Sequence, residues 1–184
     1  MIKTFLLAIL TLAISLATYL YFHLGVYEPV SVTLEKRGPY ELLFKLHTGP
    51  YHQINGVIHE VEAWVQDHHM RCAQTFGEYL DNPETVEEDR LRSHGGCLLT
   101  SALPMGPGEF QYQKRAERTY AVGRFPGSPA IGPYKVYPKV RRFLDEHRLK
   151  SSSPVIELYT VNGNEMSTEY LFAIDAPIVA PAAQ

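Results

Sequence analysis

Glu157 stands in the middle of the run Ser153-Pro154-Val155-Ile156-Glu157-Leu158-Tyr159-Thr160. Val, Ile, Leu, Tyr and Thr in one short segment, opened by a proline, describe a strand. At a side-chain period of two, Val155, Glu157 and Tyr159 share one face, and Ile156, Leu158 and Thr160 take the other. A carboxylate in a strand interior costs several kcal/mol unless it is paired, hydrogen-bonded or open to a cavity. Three readings follow: an edge strand with Glu157 in water, a structural ion pair with Arg118 or Arg124 on a nearby strand, or a carboxylate on the floor of a ligand cleft. Tyr159 is its same-face neighbour in the third case. Tyr79, Tyr112 and Tyr134 are further candidates for the cleft wall, with Phe110 and Tyr137 behind them; tyrosine is plentiful, at 12 residues, and combines an apolar body with a polar tip.

No other constellation for catalysis is present. The chain has no HExxH, no GxSxG elbow and no phosphate-binding glycine loop. His68-His69-Met70-x-Cys72 has metal-ligand residue types but reads as a solvated helix end, since metal sites draw ligands from several elements. No metal or cofactor is expected. The segment from Glu84 to Arg92 is a solvated charged loop. A formal net charge of -3 gives no support to nucleic-acid binding.

The elements that must position Glu157 can be read in order. Phe5 to Leu24 is twenty residues without a charge, about 30 Å as a helix and enough to cross a bilayer. Tyr19, Tyr21, Phe22 and Tyr27 resemble an interfacial aromatic belt. A cleaved signal peptide is the alternative; its apolar core would be unusually long, and no small-x-small site precedes Tyr27. The reading is a retained single-pass anchor over residues 1–28, a folded domain over 29–175 and a disordered tail over 176–184. Lys3 is the charge closest to the apolar run, which places the domain outside the cytoplasm.

Beyond the anchor, Val30 to Lys36 and Tyr40 to His47 alternate as strands and are expected to pair as a hairpin across Arg37-Gly38-Pro39. Ile54, Val57, Ile58, Val61, Trp64, Val65 and His68 recur at helical spacing. Ala73 to Leu80 is a third strand, an acidic loop runs to Gly96, and Cys97 to Ala102 is a fourth strand. Cys72 and Cys97, each opening a strand of an antiparallel pair, would lie about 20–25 Å apart and are expected to be unbonded. Phe110 to Lys114 and Arg118 to Phe125 are strands. A helix follows Gly132-Pro133-Tyr134, then the Glu157 strand and a last strand from Thr168 to Ile174. Val61, Trp64, Val65 and His68 fall on Val140, Phe143, Leu144 and His147 at a constant offset of 79, and one residue later in register Tyr79 falls on Tyr159. Each half reads strand-helix-strand-strand, an internal duplication. The expected fold is α+β: one antiparallel sheet from two such halves, both helices on one face.

The paired halves, Tyr79-Leu80-Asp81-Asn82-Pro83 and Ile156-Glu157-Leu158-Tyr159 resemble the GyrI-like small-molecule-binding domain, which includes the effector-binding domains of multidrug-responsive transcription regulators. Phe44-Lys45-Leu46-His47, Asp81-Asn82-Pro83, Val136-Tyr137-Pro138, Glu157-Leu158-Tyr159 and the N-terminal anchor resemble more closely the testis-expressed ER-phagy receptor family. The latter's aromatic-x-x-aliphatic docking motif has no counterpart in residues 176–184, so that activity does not carry over. No DNA-binding helix pair precedes the domain, so neither does the regulator's. What the resemblance implies is a cleft with Glu157 at its floor, holding a lipophilic, cationic small molecule. A desolvated carboxylate gains from a cation, and aromatic faces add cation–π attraction. It leaves two alternatives: a membrane-tethered adaptor or accessory subunit with membrane-protein partners, and a hydrolase of strained small molecules using Glu157 with a tyrosine.

Overall fold

A computed structural model describes residues 2–104, 106–151, 154–163 and 165–175; the tail read over 176–184 lies outside them. In chain order the elements are α1 (Ile2–His23), β1 (Ser31–Arg37), β2 (Tyr40–Thr48), α2 (Ile54–Asp67), β3 (Cys72–Tyr79), β4 (Arg92–Leu99), β5 (Gln111–Arg115), β6 (Arg118–Phe125), α3 (Gly132–Glu146), β7 (Val155–Asn162) and β8 (Glu165–Ala173). The strands form one eight-stranded antiparallel sheet in the order β1-β6-β8-β7-β3-β4-β2-β5. The α+β architecture expected from the sequence is the one observed.

The duplication shows in the strand order. β6-β8-β7 and β3-β4-β2 are two three-strand units that meet at the β7–β3 pair, with β1 and β5 added outside. It shows again at the helix ends. His68 Nδ1 lies 2.8 Å from Trp64 O with its ring stacked on Trp64 at 3.9 Å, and His147 Nδ1 lies 2.8 Å from Phe143 O with its ring on Phe143 at 4.1 Å. His69 and Arg148 then take left-handed φ values of 54° and 55°. Met70 and Leu149 donate back to Val65 and Leu144. Both helices therefore end in the same Schellman-type cap, which satisfies carbonyls that a helix otherwise leaves open.

Both helices pack on one sheet face. Val61 and Val65 of α2 bury against Leu43, Cys97 and Leu99, and Val136 and Val140 of α3 against Ala121 and Phe125. The other face curls around its own core of Leu42, Phe44, Phe76, Tyr120, Val122, Ile156, Leu158 and Leu171. Each such side chain contributes about 1.5–3 kcal/mol by leaving water. α1 is apolar, exposed along its length and long enough to cross a membrane; a signal sequence meets the same description. Its end is tied to the domain. Ser128 N donates to Leu24 O at 3.1 Å, and Lys135 Nζ donates to Val26 O and Glu28 O at 2.6 and 2.5 Å.

Three expectations are corrected. β1 and β2 are not a hairpin: β1 pairs with β6, while β2 pairs with β4 and β5. Alternation fixes which face a side chain takes and says nothing about which strand lies alongside. The curl of the sheet brings its two ends close enough for Gly38-Pro39 to carry the chain between them. The fourth strand begins at Arg92 rather than Cys97, because Gly95 and Gly96 lie inside it instead of in a loop. Cys97 thus falls late in β4, beside the start of its antiparallel neighbour β3, and the Cα atoms of Cys72 and Cys97 are 5.4 Å apart in a disulfide. Under denaturing, non-reducing conditions a thiol titration should find no free cysteine. Replacing both by alanine should lower stability by about 3.5 kcal/mol, the loop-closure value for a bridge of this separation, read from urea melts.

Candidate ligand-binding site

Neither helix lies chiefly on the strands where the two halves meet. α2 rests on β4, β2 and β3, and α3 on β6 and β1. Between them, over β7, a group of tyrosines surrounds one carboxylate. Glu157, in the centre of β7, is 3 % exposed. The edge-strand reading is thereby excluded, since β7 is paired on both sides. Its Oε1 accepts from Tyr137 Oη and its Oε2 from Tyr159 Oη, both at 3.3 Å. Tyr159 Oη in turn shares a 2.8 Å hydrogen bond with Tyr79 Oη. The Tyr51 ring meets that of Tyr79 edge-on at 4.7 Å, and Tyr137 packs on Phe172 at 5.1 Å. Tyr51, Tyr79, Tyr137 and Tyr159 are all half-buried, so aromatic walls reach solvent above a closed floor.

Two features of the floor come from the duplication. Tyr79 and Tyr159, the equivalent residues of the two halves, meet at the seam. Gly77 pairs directly with Glu157 across it, and a Cβ there would stand 3.0 Å from Tyr159 Oη and 3.1 Å from Tyr79 Oη. Gly77 therefore makes the room that the two hydroxyls occupy. On the far side of Glu157, Thr168 and Tyr170 of β8 share its face and are fully buried. Thr168 lies close to Tyr170 Oη, yet among the described residues neither oxygen attains hydrogen-bonding geometry with any partner. Buried hydroxyls without partners carry a desolvation cost.

Electrostatics separate Glu157 from the other interior glutamates. On the opposite face, Glu35 is held by Arg124 at 2.7 Å, its carboxyl lowered to about 2 by hydrogen bonds from Arg124 and Thr33. Burial pushes Glu78 up, but hydrogen bonds from His94 and Arg115 outweigh it and hold its carboxyl below the usual range. Arg124 also pairs with Glu169, which removes it as a partner for Glu157. Among the described residues no ion pair reaches Glu157. Burial pushes its carboxyl up to about 8, and the tyrosine hydrogen bonds only partly offset this. Burial, and then the neighbouring Glu157, raise Tyr137, Tyr159 and Tyr79, so their hydroxyls remain donors.

Of the residues expected from the sequence, the structure brings Glu157, Tyr159, Tyr79 and Tyr137 together. Tyr112 lies on β5 and hydrogen-bonds Glu41 at the sheet's far edge, and Phe110 packs under Trp64. Tyr134 is 84 % exposed on α3. Tyr51 is the residue sequence reasoning missed, although Gly49-Pro50-Tyr51 matches the Gly132-Pro133-Tyr134 motif. The Asp81-Asn82-Pro83 strand end holds it: Tyr51 Oη donates to Asp81 O at 2.7 Å and accepts from Asp81 N at 3.1 Å, while the Asp81 carboxylate pairs with Arg92. No cluster of His, Cys, Asp and Glu suited to a metal occurs among the described residues.

A carboxyl raised in the folded state is favoured there in its protonated form. Stability should therefore be highest below about pH 4.5 as far as Glu157 is concerned, and should fall as pH rises from there towards 8, by up to about 1.4 kcal/mol per unit. Glu157→Gln should remove that slope and match or exceed the wild type near pH 8, as read from melting curves at a series of pH values. A mutant that melts several degrees lower at every pH would show that the carboxylate holds the fold together.

Comparison with known proteins bears on the fold. No curated protein matches the sequence. Among solved structures, the C-terminal domain of EcmrR is similar over 79 % of this chain and 98 % of its own, with a TM-score of 0.65 at 13 % identity. EcmrR in a complex with DNA matches 95 % of this chain and 68 % of its own, with a TM-score of 0.63 at 12 % identity. SAV2435 bound to tetraphenylphosphonium matches 79 % of this chain and 94 % of its own, with a TM-score of 0.53 at 12 % identity. At these identities the likeness is one of fold. The family described as GyrI-like small molecule binding domain matches residues 31–175, the span that carries the curled sheet, both packed helices and the tyrosines around Glu157, and the chain belongs to that family.

Proposed function

We propose that the domain binds a small, positively charged, partly apolar molecule between the tyrosines, with Glu157 as its counter-charge. The observation that carries this is the contrast between the two buried glutamates: Glu78 has Arg115 and His94 beside it, and Glu157, likewise buried, has only hydroxyls. An interior carboxylate without a cation is a standing cost in the free protein that a bound cation removes. Tyrosine faces add cation–π attraction. SAV2435, similar in fold, is bound to a lipophilic cation, tetraphenylphosphonium, which is the same ligand chemistry. The comparisons lend no support to the finer likeness to ER-phagy receptors, and the proposed function does not draw on it.

The second part of the proposal is location. α1 is a retained membrane anchor, and the domain stands on the side away from the cytoplasm. The Cys72–Cys97 disulfide supports this side, because such bonds persist in oxidising compartments. Intact-mass measurement of membrane-extracted protein should return the full N-terminus; a mature chain starting between residues 20 and 30 would identify α1 as a signal sequence.

Binding should depend on pH in a defined direction. With the empty-site carboxyl at about 8, a cation must displace its proton, so affinity should climb by up to about tenfold per pH unit as pH rises towards 8 and level off above it. Glu157→Gln should weaken a lipophilic cation such as tetraphenylphosphonium by about 1–3 kcal/mol, roughly 5- to 150-fold, and abolish the pH dependence. Isothermal titration across pH, in buffers of different ionisation enthalpy, reads both the affinity and the released proton. Equal binding by wild type and mutant would remove Glu157 from the site.

A further inference from the structure

We infer that the N-terminal end and outer face of α3 dock on the anionic headgroups of the bilayer that α1 enters. This inference rests on the reading of α1 as a retained anchor. Lys135 is the link between the two helices. Its ammonium donates to Val26 O and Glu28 O, reaches Gly25 O at 3.5 Å, and lies 4.7 Å over the Phe125 ring. With Ser128 N on Leu24 O, it fixes the start of α3 against the residues that leave α1. Tyr134 is its neighbour in sequence and 84 % exposed, the most exposed tyrosine of the domain outside α1 and its flank, where Tyr27 is 52 % and Val26 39 % exposed. A tyrosine held beside the exit of an apolar helix is at the level where aromatic rings partition between headgroups and chains.

Charge continues the argument along the helix. Lys139 and Arg142 follow Lys135 at the four- and seven-residue spacing of one helical row, and Pro138 and Arg141 follow Tyr134 in the adjacent row. Lys139, Arg141 and Arg142 are exposed, and no acidic residue occurs from Gly132 to Leu144; Asp145 and Glu146 come only in the last turn. In a chain of net charge -3 this is a local excess of cations, placed where the anchor ends. Clustered Lys and Arg beside a bilayer are attracted by anionic lipid in whichever leaflet they face, within about a Debye length. A partner protein would also tolerate cations, but only the bilayer is already beside this surface.

The test uses the full chain in phosphatidylcholine vesicles with and without phosphatidylglycerol. The native cysteines are bonded to each other, so Tyr134→Cys offers a single thiol for an environment-sensitive fluorophore. The expected result is quenching by headgroup-labelled nitroxide lipid, protection from aqueous iodide, and roughly twofold stronger lipid quenching when phosphatidylglycerol is present. Lys139→Glu with Arg142→Glu should remove that increment. A fluorophore open to iodide and untouched by the nitroxide lipid, in protein that floats with the vesicles, would overturn the inference while leaving the anchor standing. Shielding from both quenchers would overturn it in favour of a protein covering this face. Protein that fails to float would overturn the anchor and the inference together.

Discussion

Two helices cannot cover eight strands. Each packs on the strands of its own half, where glycine or small side chains admit it, and the join of the halves is left to side chains alone. Everything distinctive about this domain is a response to that uncovered seam. Tyrosine suits it because the ring supplies apolar bulk where a helix is missing and the hydroxyl supplies partners for polar groups below. The result is a floor that is dry without being apolar, and a carboxylate placed there feels burial without gaining a neutralising charge.

The inner face solves the same problem in the opposite way. Glu35, Arg37, Arg124 and Glu169 form a half-buried network, and Glu78 is shared by His94 and Arg115. These charges neutralise one another locally and close the mouth of the curled sheet around its apolar core. That the chain supplies arginines to one face and withholds them from the other is what gives the seam its electrostatic character. The half-buried pairs around Glu35 contribute modestly to stability; the larger consequence of both groups is that Arg124 and Arg115 are engaged away from Glu157.

Much of this was legible in the sequence, and what was not has identifiable causes. Glu157 stood out because a charge interrupted an apolar strand, and the duplication because Val61, Trp64, Val65 and His68 recur as Val140, Phe143, Leu144 and His147 at one constant offset. β1 could not be assigned its partner, because period-two alternation is identical whichever edge a strand joins. Gly95 and Gly96 masked the start of β4, since glycine in sequence reads as a break and here admits Ile54 and Ile58 of α2 onto the sheet; the disulfide was lost with that boundary. Tyr51 and Tyr134 follow the same Gly-Pro dipeptide, but only Tyr51 has the Asp81 backbone to hold it inward. That contact joins residues thirty positions apart and leaves no local signal.

Gly77 has a consequence for the valence of whatever fills the cleft. Exact twofold symmetry would set a glutamate at each of the paired positions 77 and 157, facing one another across neighbouring strands. Two buried carboxylates at that spacing would share a proton or call for a dication. With glycine on one side, the seam carries a single ionisable carboxyl at a nearly symmetric spot, hydrogen-bonded by Tyr159 and Tyr137. A monocation neutralises it completely, whereas a dication would bring an uncompensated positive charge into a dry interior. The broken symmetry of one residue thus sets the site's stoichiometry of charge as well as its shape.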